Sequence, residues 1–262
     1  MMNSKRAMGT FMMTLVIIIG IAALLLLMAF GYKIYQGSEK NAYLTRCQMS
    51  VISYSKLNSL PFNRATSDSA NIDCPTQFLT VSKSTPRLMK KDVADLLVEC
   101  WKNYGEGRLL LFKPSDEAFC SVCSVIQFED KKVKLDRFNS FLMAERAPVR
   151  NKDGSSPLYF DYLASYATDP KIKTEFENMP SDIDGSQKYA IIFAYYKGSF
   201  AKKLDAAGKA LILGPFWALI AYIGTSAADW QATTFLVPYS AENIKTVGCT
   251  EIPVSMVDKQ FR

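Results

Sequence analysis

The sequence predicts an α+β protein: an N-terminal transmembrane helix that continues into a mixed, disulfide-stapled extracytoplasmic domain. Three observations carry this prediction. Ala7 to Tyr32 contains no charged residue; all six cysteines follow that run; and strand-like and helix-like segments succeed one another without a regular βαβ rhythm. The predicted organisation is a short cytoplasmic leader (1–6), an anchor helix (7–32), a helix leaving the membrane (33–58) and an outer domain (59–262) containing an apolar segment at 210–228.

Composition removes whole classes of function. With 49% hydrophobic residues the chain is not disordered, and its net charge of +6 is spread too thinly to imply nucleic acid. The sequence has no histidine, so it has no Ser-His-Asp or Cys-His nucleophile, no His-ligated metal and no imidazole pH switch.

Taken in order, the first element is the anchor. At about 1.5 Å per residue the run 7–32 measures about 39 Å, enough to cross a hydrocarbon core of about 30 Å with some tilt. A cleaved secretory signal has an apolar core of only about 7–15 residues, and Ala29-Phe30-Gly31 lies at the far end of this longer run. The reading is therefore an uncleaved anchor. Lys5 and Arg6 precede it and Lys33, Lys40 and Arg46 follow, so the positive-inside bias is close to a tie. The cysteines (Cys47, Cys74, Cys100, Cys120, Cys123 and Cys249) decide it, because an even set confined to one side suits an oxidising compartment. The amino terminus is placed in the cytoplasm and residues 33–262 outside.

Helical periodicity continues beyond the anchor. Leu44, Cys47, Val51 and Tyr54 fall on one stripe, no Pro or Gly interrupts 43–57, and Asn58 and Pro61 mark the end. Gly37-Ser38 is a candidate kink. Lys5-Arg6, Gly9, the run Thr10–Phe30 and the stripe Leu44–Tyr54 resemble the layout of type IV pilin-like proteins. That resemblance implies a basic leader, a long hydrophobic helix and a half-buried continuation packed on a β-rich head. The prepilin glutamate expected five residues after the processing glycine is Thr14 here.

In the outer domain, Ser59–Asn71 reads as loop and Thr76–Val81 as a strand. Thr85-Pro86 starts a helix, since Thr offers a capping oxygen and Pro at the first position loses no needed donor. Met89, Val93, Leu96, Leu97, Cys100 and Tyr104 form its apolar face, and Gly105 its stop. Arg108–Phe112 and Ser121–Phe128 read as strands, with a charged turn at Glu129–Lys132. Asp136–Glu145 and Asp169–Met179 read as helices, the second repeating the cap-then-proline signature. Tyr189–Tyr196 and Thr233–Val237 read as strands from aromatic and β-branched content.

Cys120-Ser-Val-Cys123 is the one motif with redox or metal potential. A catalytic pair sits at a helix amino end, whereas Ser-Val-Ile-Gln-Phe follows here, and no upstream βαβ unit is read. A structural zinc site needs two such pairs. Disulfide staples are the preferred reading of all six cysteines, with Cys100 joined to Cys120 or Cys123 and Cys249 anchoring the carboxyl-terminal segment. No metal, cofactor or catalytic residue is assigned; Asp182-Ile183-Asp184-Gly185 reads as a solvated loop, Glu106 as an available carboxylate between two glycines, and the cluster Trp101, Tyr104 and Gly105 as a helix end packing its aromatics.

Ala210–Ala228 is uncharged and contains Leu211, Ile212, Phe216, Trp217, Leu219, Ile220 and Ile223. Read as an insertion between two strands, it is buried in the domain or docked on a partner, in preference to spanning. The function read from these features is a membrane-anchored structural or interaction protein. Its partners are the lipid bilayer, through the N-terminal helix, and other protein subunits or further copies of the chain. A pilin-like filament subunit is the alternative, and an extracytoplasmic thiol-redox or metal-binding protein the second.

Overall fold

The structure, a computed structural model, describes residues 18–28, 43–57, 72–109, 111, 118–164, 169–197 and 230–247. The chain divides into two compact units, Met1–Arg46 and Cys47–Arg262. In the first, residues 18–28 form a helix exposed at every position, Leu27 by 70%. No described helix is long and apolar enough to cross a membrane.

The second unit is a mixed α+β domain. Helix α1 (43–57) buries the face that its spacing predicts: Cys47 and Val51 sit in the core, and Tyr54 packs against it. Burying an aliphatic side chain such as Val51 stabilises by about 1.5–3 kcal/mol. Strand β1 (Gln77–Val81) follows, then helix α2 (Pro86–Asn103) and strand β2 (Ala118–Phe128). The hydroxyl of Thr85 accepts from the Leu88 amide at 3.4 Å, with Pro86 just inside, so the helix begins as its sequence predicts. β1 and β2 pair in parallel, which requires a crossover, and α2 supplies it. A single βαβ unit therefore exists where none was read. Cys120 and Cys123 lie in its second strand and not at a helix start.

Two further strands complete the sheet. β5 (Tyr189–Lys197) and β6 (Trp230–Pro238) are antiparallel neighbours, giving the order β1-β2-β5-β6. Tyr189, Ile191, Phe193 and Tyr195 of β5 face the α2 side of the core, while Ala190, Ile192, Ala194 and Tyr196 are buried on the other. Burial of both faces explains the uninterrupted apolar run of this strand. Around Phe193, Tyr104 stacks at 4.4 Å between ring centroids, Trp101 lies at 5.9 Å and Tyr195 meets it edge-on at 5.3 Å.

Lys197 is the register partner of Trp230, so the chain that leaves the sheet at 197 re-enters beside it. A single membrane crossing between them is incompatible with this pairing. The predicted apolar segment 210–228 itself, with Leu211 to Ile223, lies outside the described residues, as do 1–17, Gly37-Ser38, Asn58–Asn71 and Cys249.

A smaller layer holds α3 (Phe138–Ala144), α4 (Tyr159–Leu163), α5 (Pro170–Asn178) and the two-residue strands β3 (Lys134–Leu135) and β4 (Ile183–Asp184). Phe160 and Phe176 join α4 to α5 at 4.7 Å. The Asn139 side-chain amide donates to the Phe176 carbonyl at 3.0 Å, tying α3 to α5. A last short helix, α6 (Ala241–Thr246), follows β6, and the Tyr196 hydroxyl donates to the Val247 carbonyl just after it at 2.8 Å.

Three expectations need correction. The described residues of Arg108–Phe112 form no strand: Arg108 is in a turn, Leu109 in a bend, and buried Leu111 has no regular structure. Leu111 is there for burial, while the Tyr195 hydroxyl engages the Gly107 and Leu109 carbonyls. The helix expected from Asp136 starts only at Phe138, because Arg137 is left-handed (φ 50°) and its amide donates to Asp182 at 2.8 Å. The expected loop at 182–185 contributes β4, with Ile183 fully buried.

Candidate functional site

The end of α2 is where the backbone departs furthest from ordinary conformations. Tyr104 closes the helix, its amide donating back to the Cys100 carbonyl. Gly105, Glu106 and Gly107 then take positive φ values in succession, 68°, 57° and 70°. Glycine is required at 107, where a Cβ would stand 2.7 Å from the Trp101 ring and 2.9 Å from Ala232. The Tyr195 hydroxyl lies 2.6 Å from both the Gly107 and Leu109 carbonyl oxygens and shares its proton between them. The Tyr104 hydroxyl donates to Ser121 on β2.

Glu106 is the non-glycine residue of the three, and its carboxylate is held on two sides. Oε1 accepts from the Tyr162 hydroxyl of α4 at 2.6 Å; Oε2 lies 3.1 Å from the Arg108 guanidinium. Burial above all, and then the hydrogen bond to Glu106, pushes the Tyr162 phenol well above its ordinary range, so it stays a donor at neutral pH. Beside this pair opens a cleft of about 350 Å³, walled by Trp101, Pro157, Asp161 and Tyr162 and rimmed by Arg108, Arg150, Asn151 and Lys152. Asp161 is engaged by Lys173 at 2.6 Å. The 150–157 side is a tight loop in which Asp153 accepts from the Ser155 amide and hydroxyl. Those bonds hold its carboxyl below the usual carboxylate range.

The sequence-predicted cysteines are distributed as staples. Cys47 on α1 bonds Cys74 (Cα–Cα 4.6 Å), and Cys100 on α2 bonds Cys123 on β2 (5.7 Å). The bridge from Cys100 thus takes the second of the two partners foreseen. A register shift between Val122 and Ser124 falls at Cys123. Cys120 is also disulfide-bonded, so Cys120 and Cys123 each belong to a separate bridge and are not bonded to one another. A non-reducing peptide map is expected to recover Cys47–Cys74 and Cys100–Cys123; a Cys120–Cys123 peptide contradicts that arrangement.

Among the described residues no group of three His, Cys, Asp or Glu is placed to hold a metal ion. Asp182 accepts from the distant Arg137 amide, tying the start of α3 to β4, and Asp184 accepts from the Ser186 amide at 2.9 Å within a turn, so both carboxylates are engaged. Sequence reasoning singled out Trp101, Tyr104, Gly105 and Glu106 but missed Arg108, Arg150, Lys152 and Tyr162. A charged residue between two glycines, followed by arginine, was the only local signal. No known protein family, no curated protein and no solved structure matches this chain.

Proposed function

We propose that this chain is a membrane-anchored extracytoplasmic interaction protein, a subunit of a membrane or cell-surface assembly. The observation that carries the reading is helix 18–28, apolar at every position and exposed all round, within an uncharged run from Ala7 to Tyr32. Such a surface needs an apolar cover, and the length of the run suits a bilayer. The bridges at Cys47–Cys74 and Cys100–Cys123 support an oxidising compartment for the domain. The amino terminus then lies in the cytoplasm, and the domain serves as a rigid, stapled head presented outside.

A pilin-like filament subunit is the second reading. It is favoured by the buried stripe of Cys47 and Val51 on α1, a helix that follows the apolar run in sequence and packs one face into the core. The two readings differ at the mature amino terminus: Met1 or Met2 for a simple anchor, Thr10 for prepilin processing.

The test of anchoring is extraction. The full chain is expected to stay with membranes in alkaline carbonate and to leave in mild detergent, while a chain lacking residues 1–42 is released in soluble form. Release of the full chain by carbonate alone contradicts the proposal.

A further inference from the structure

We propose that the cleft beside the Gly105-Glu106-Gly107 turn binds a small organic oxyanion, a molecule carrying a carboxylate or phosphate on a compact polar body. This does not depend on the membrane anchor, and either can fail without the other.

The charge balance of the cleft points to an anion. Its two carboxylates are already satisfied from within the protein: Glu106 by Tyr162 and Arg108, and Asp161 by Lys173. Its cations are not. Arg150 and Lys152 are exposed, and neither pairs with an acidic group among the described residues. Arg108 meets Glu106 through one guanidinium nitrogen and lines the cleft, and a guanidinium carries five donors in all. Planar guanidinium forks match the oxygens of carboxylates and phosphates, and two arginines with one lysine give the site three cationic arms.

The shape points to an organic molecule and not to a bare ion. A volume of about 350 Å³ falls within the range of small-molecule pockets, about 300–1,000 Å³. Trp101 and Pro157 contribute apolar wall against which a carbon skeleton can lie. The arms are also differently mounted. Arg150 and Lys152 ride on an exposed loop, whereas Arg108, also exposed, pairs with Glu106, whose carboxylate accepts from the Tyr162 hydroxyl. Glu106 is a non-glycine residue kept in the left-handed region at φ 57°, an uncommon conformation that is enriched at ligand-binding sites. In this account Glu106 is a positioning residue for Arg108, and the ligand is read by the three cations.

The experiment is calorimetric titration of the full chain in a neutral detergent with four probes: glucuronate, glucose 6-phosphate, glucose and inorganic phosphate. Saturable binding of glucuronate or glucose 6-phosphate is expected, with a Kd at or below about 1 mM, weakened by added salt. The two charged sugars separate carboxylate from phosphate as the preferred group. The double variant Arg150→Ala/Lys152→Ala alters two exposed, unpaired side chains, so its melting temperature is expected to stay unchanged. Its affinity for the bound sugar is expected to fall at least about tenfold. The proposal is overturned if neither charged sugar binds, if glucose binds as well as they do, if inorganic phosphate alone binds, or if the double variant binds like the parent.

Discussion

Phe193→Ala is expected to cost the domain about 3–5 kcal/mol, the range for deleting a buried phenyl ring from a core. Phe193 is fully buried in the middle of β5, an inner strand of the sheet. Its ring is the contact point of Tyr104, Trp101 and Tyr195, and Phe119 lies at 6.4 Å. Each aromatic pair adds about 0.5–1.5 kcal/mol beyond area burial, so the loss should sit toward the upper end. Through Trp101 and Tyr104 the same ring supports the end of α2 and the turn carrying Glu106. The check is chemical denaturation: a lower midpoint with an unchanged slope. Phe119→Ala, at a half-buried site, should cost clearly less. Equal losses at the two positions would show that Phe193 is not the centre of this cluster.

Cys100→Ser should remove a comparable amount by a different route. The bridge to Cys123 closes a loop with a sequence separation of 23, and the chain-entropy relation gives about 3 kcal/mol for its loss. Cys100 is also 1% exposed, so the new hydroxyl enters a buried helix face. Leaving a polar group there unsatisfied adds about 1–3 kcal/mol. Cys100→Ala isolates the bridge from the hydroxyl, and the serine variant should be the less stable of the two. If Cys100→Ser melts with the parent under oxidising conditions, the bridge does not hold α2 to the sheet.

What the sequence disclosed follows from how local each signal is. Helix α2 was legible from end to end because its cap (Thr85, Pro86), its apolar face and its stop at Gly105 all lie within the helix or next to it. β5 was legible because a strand buried on both faces needs apolar residues at every position. α4 and α6 were not read: five and six residues long, they carry too little periodicity, and α4 is fixed by tertiary packing of Tyr159 and Phe160. β3 and β4 exist only because each finds the other. At 108–112 leucine content suggests strand, whereas the one buried leucine described there, Leu111, has no regular structure. The cleft was illegible for the same reason in a stronger form. Its cations come from the turn after α2 and from the 150–152 loop, its phenol from α4, and no spacing along the chain connects them.

We propose that the domain from Cys47 onward lies on the outer side of a single N-terminal anchor. The β5–β6 pairing makes a sharp demand here, because a chain that returns from 198–229 to its own sheet cannot have crossed the membrane once. The direct measurement is protease accessibility in cells stripped of outer barriers but with the plasma membrane sealed. It uses one cleavable tag in the exposed 151–155 loop and another after Arg262. Cleavage at both tags, with a tag before Lys5 protected, is the expected result. Protection of the carboxyl-terminal tag while the loop tag is cut would contradict the account.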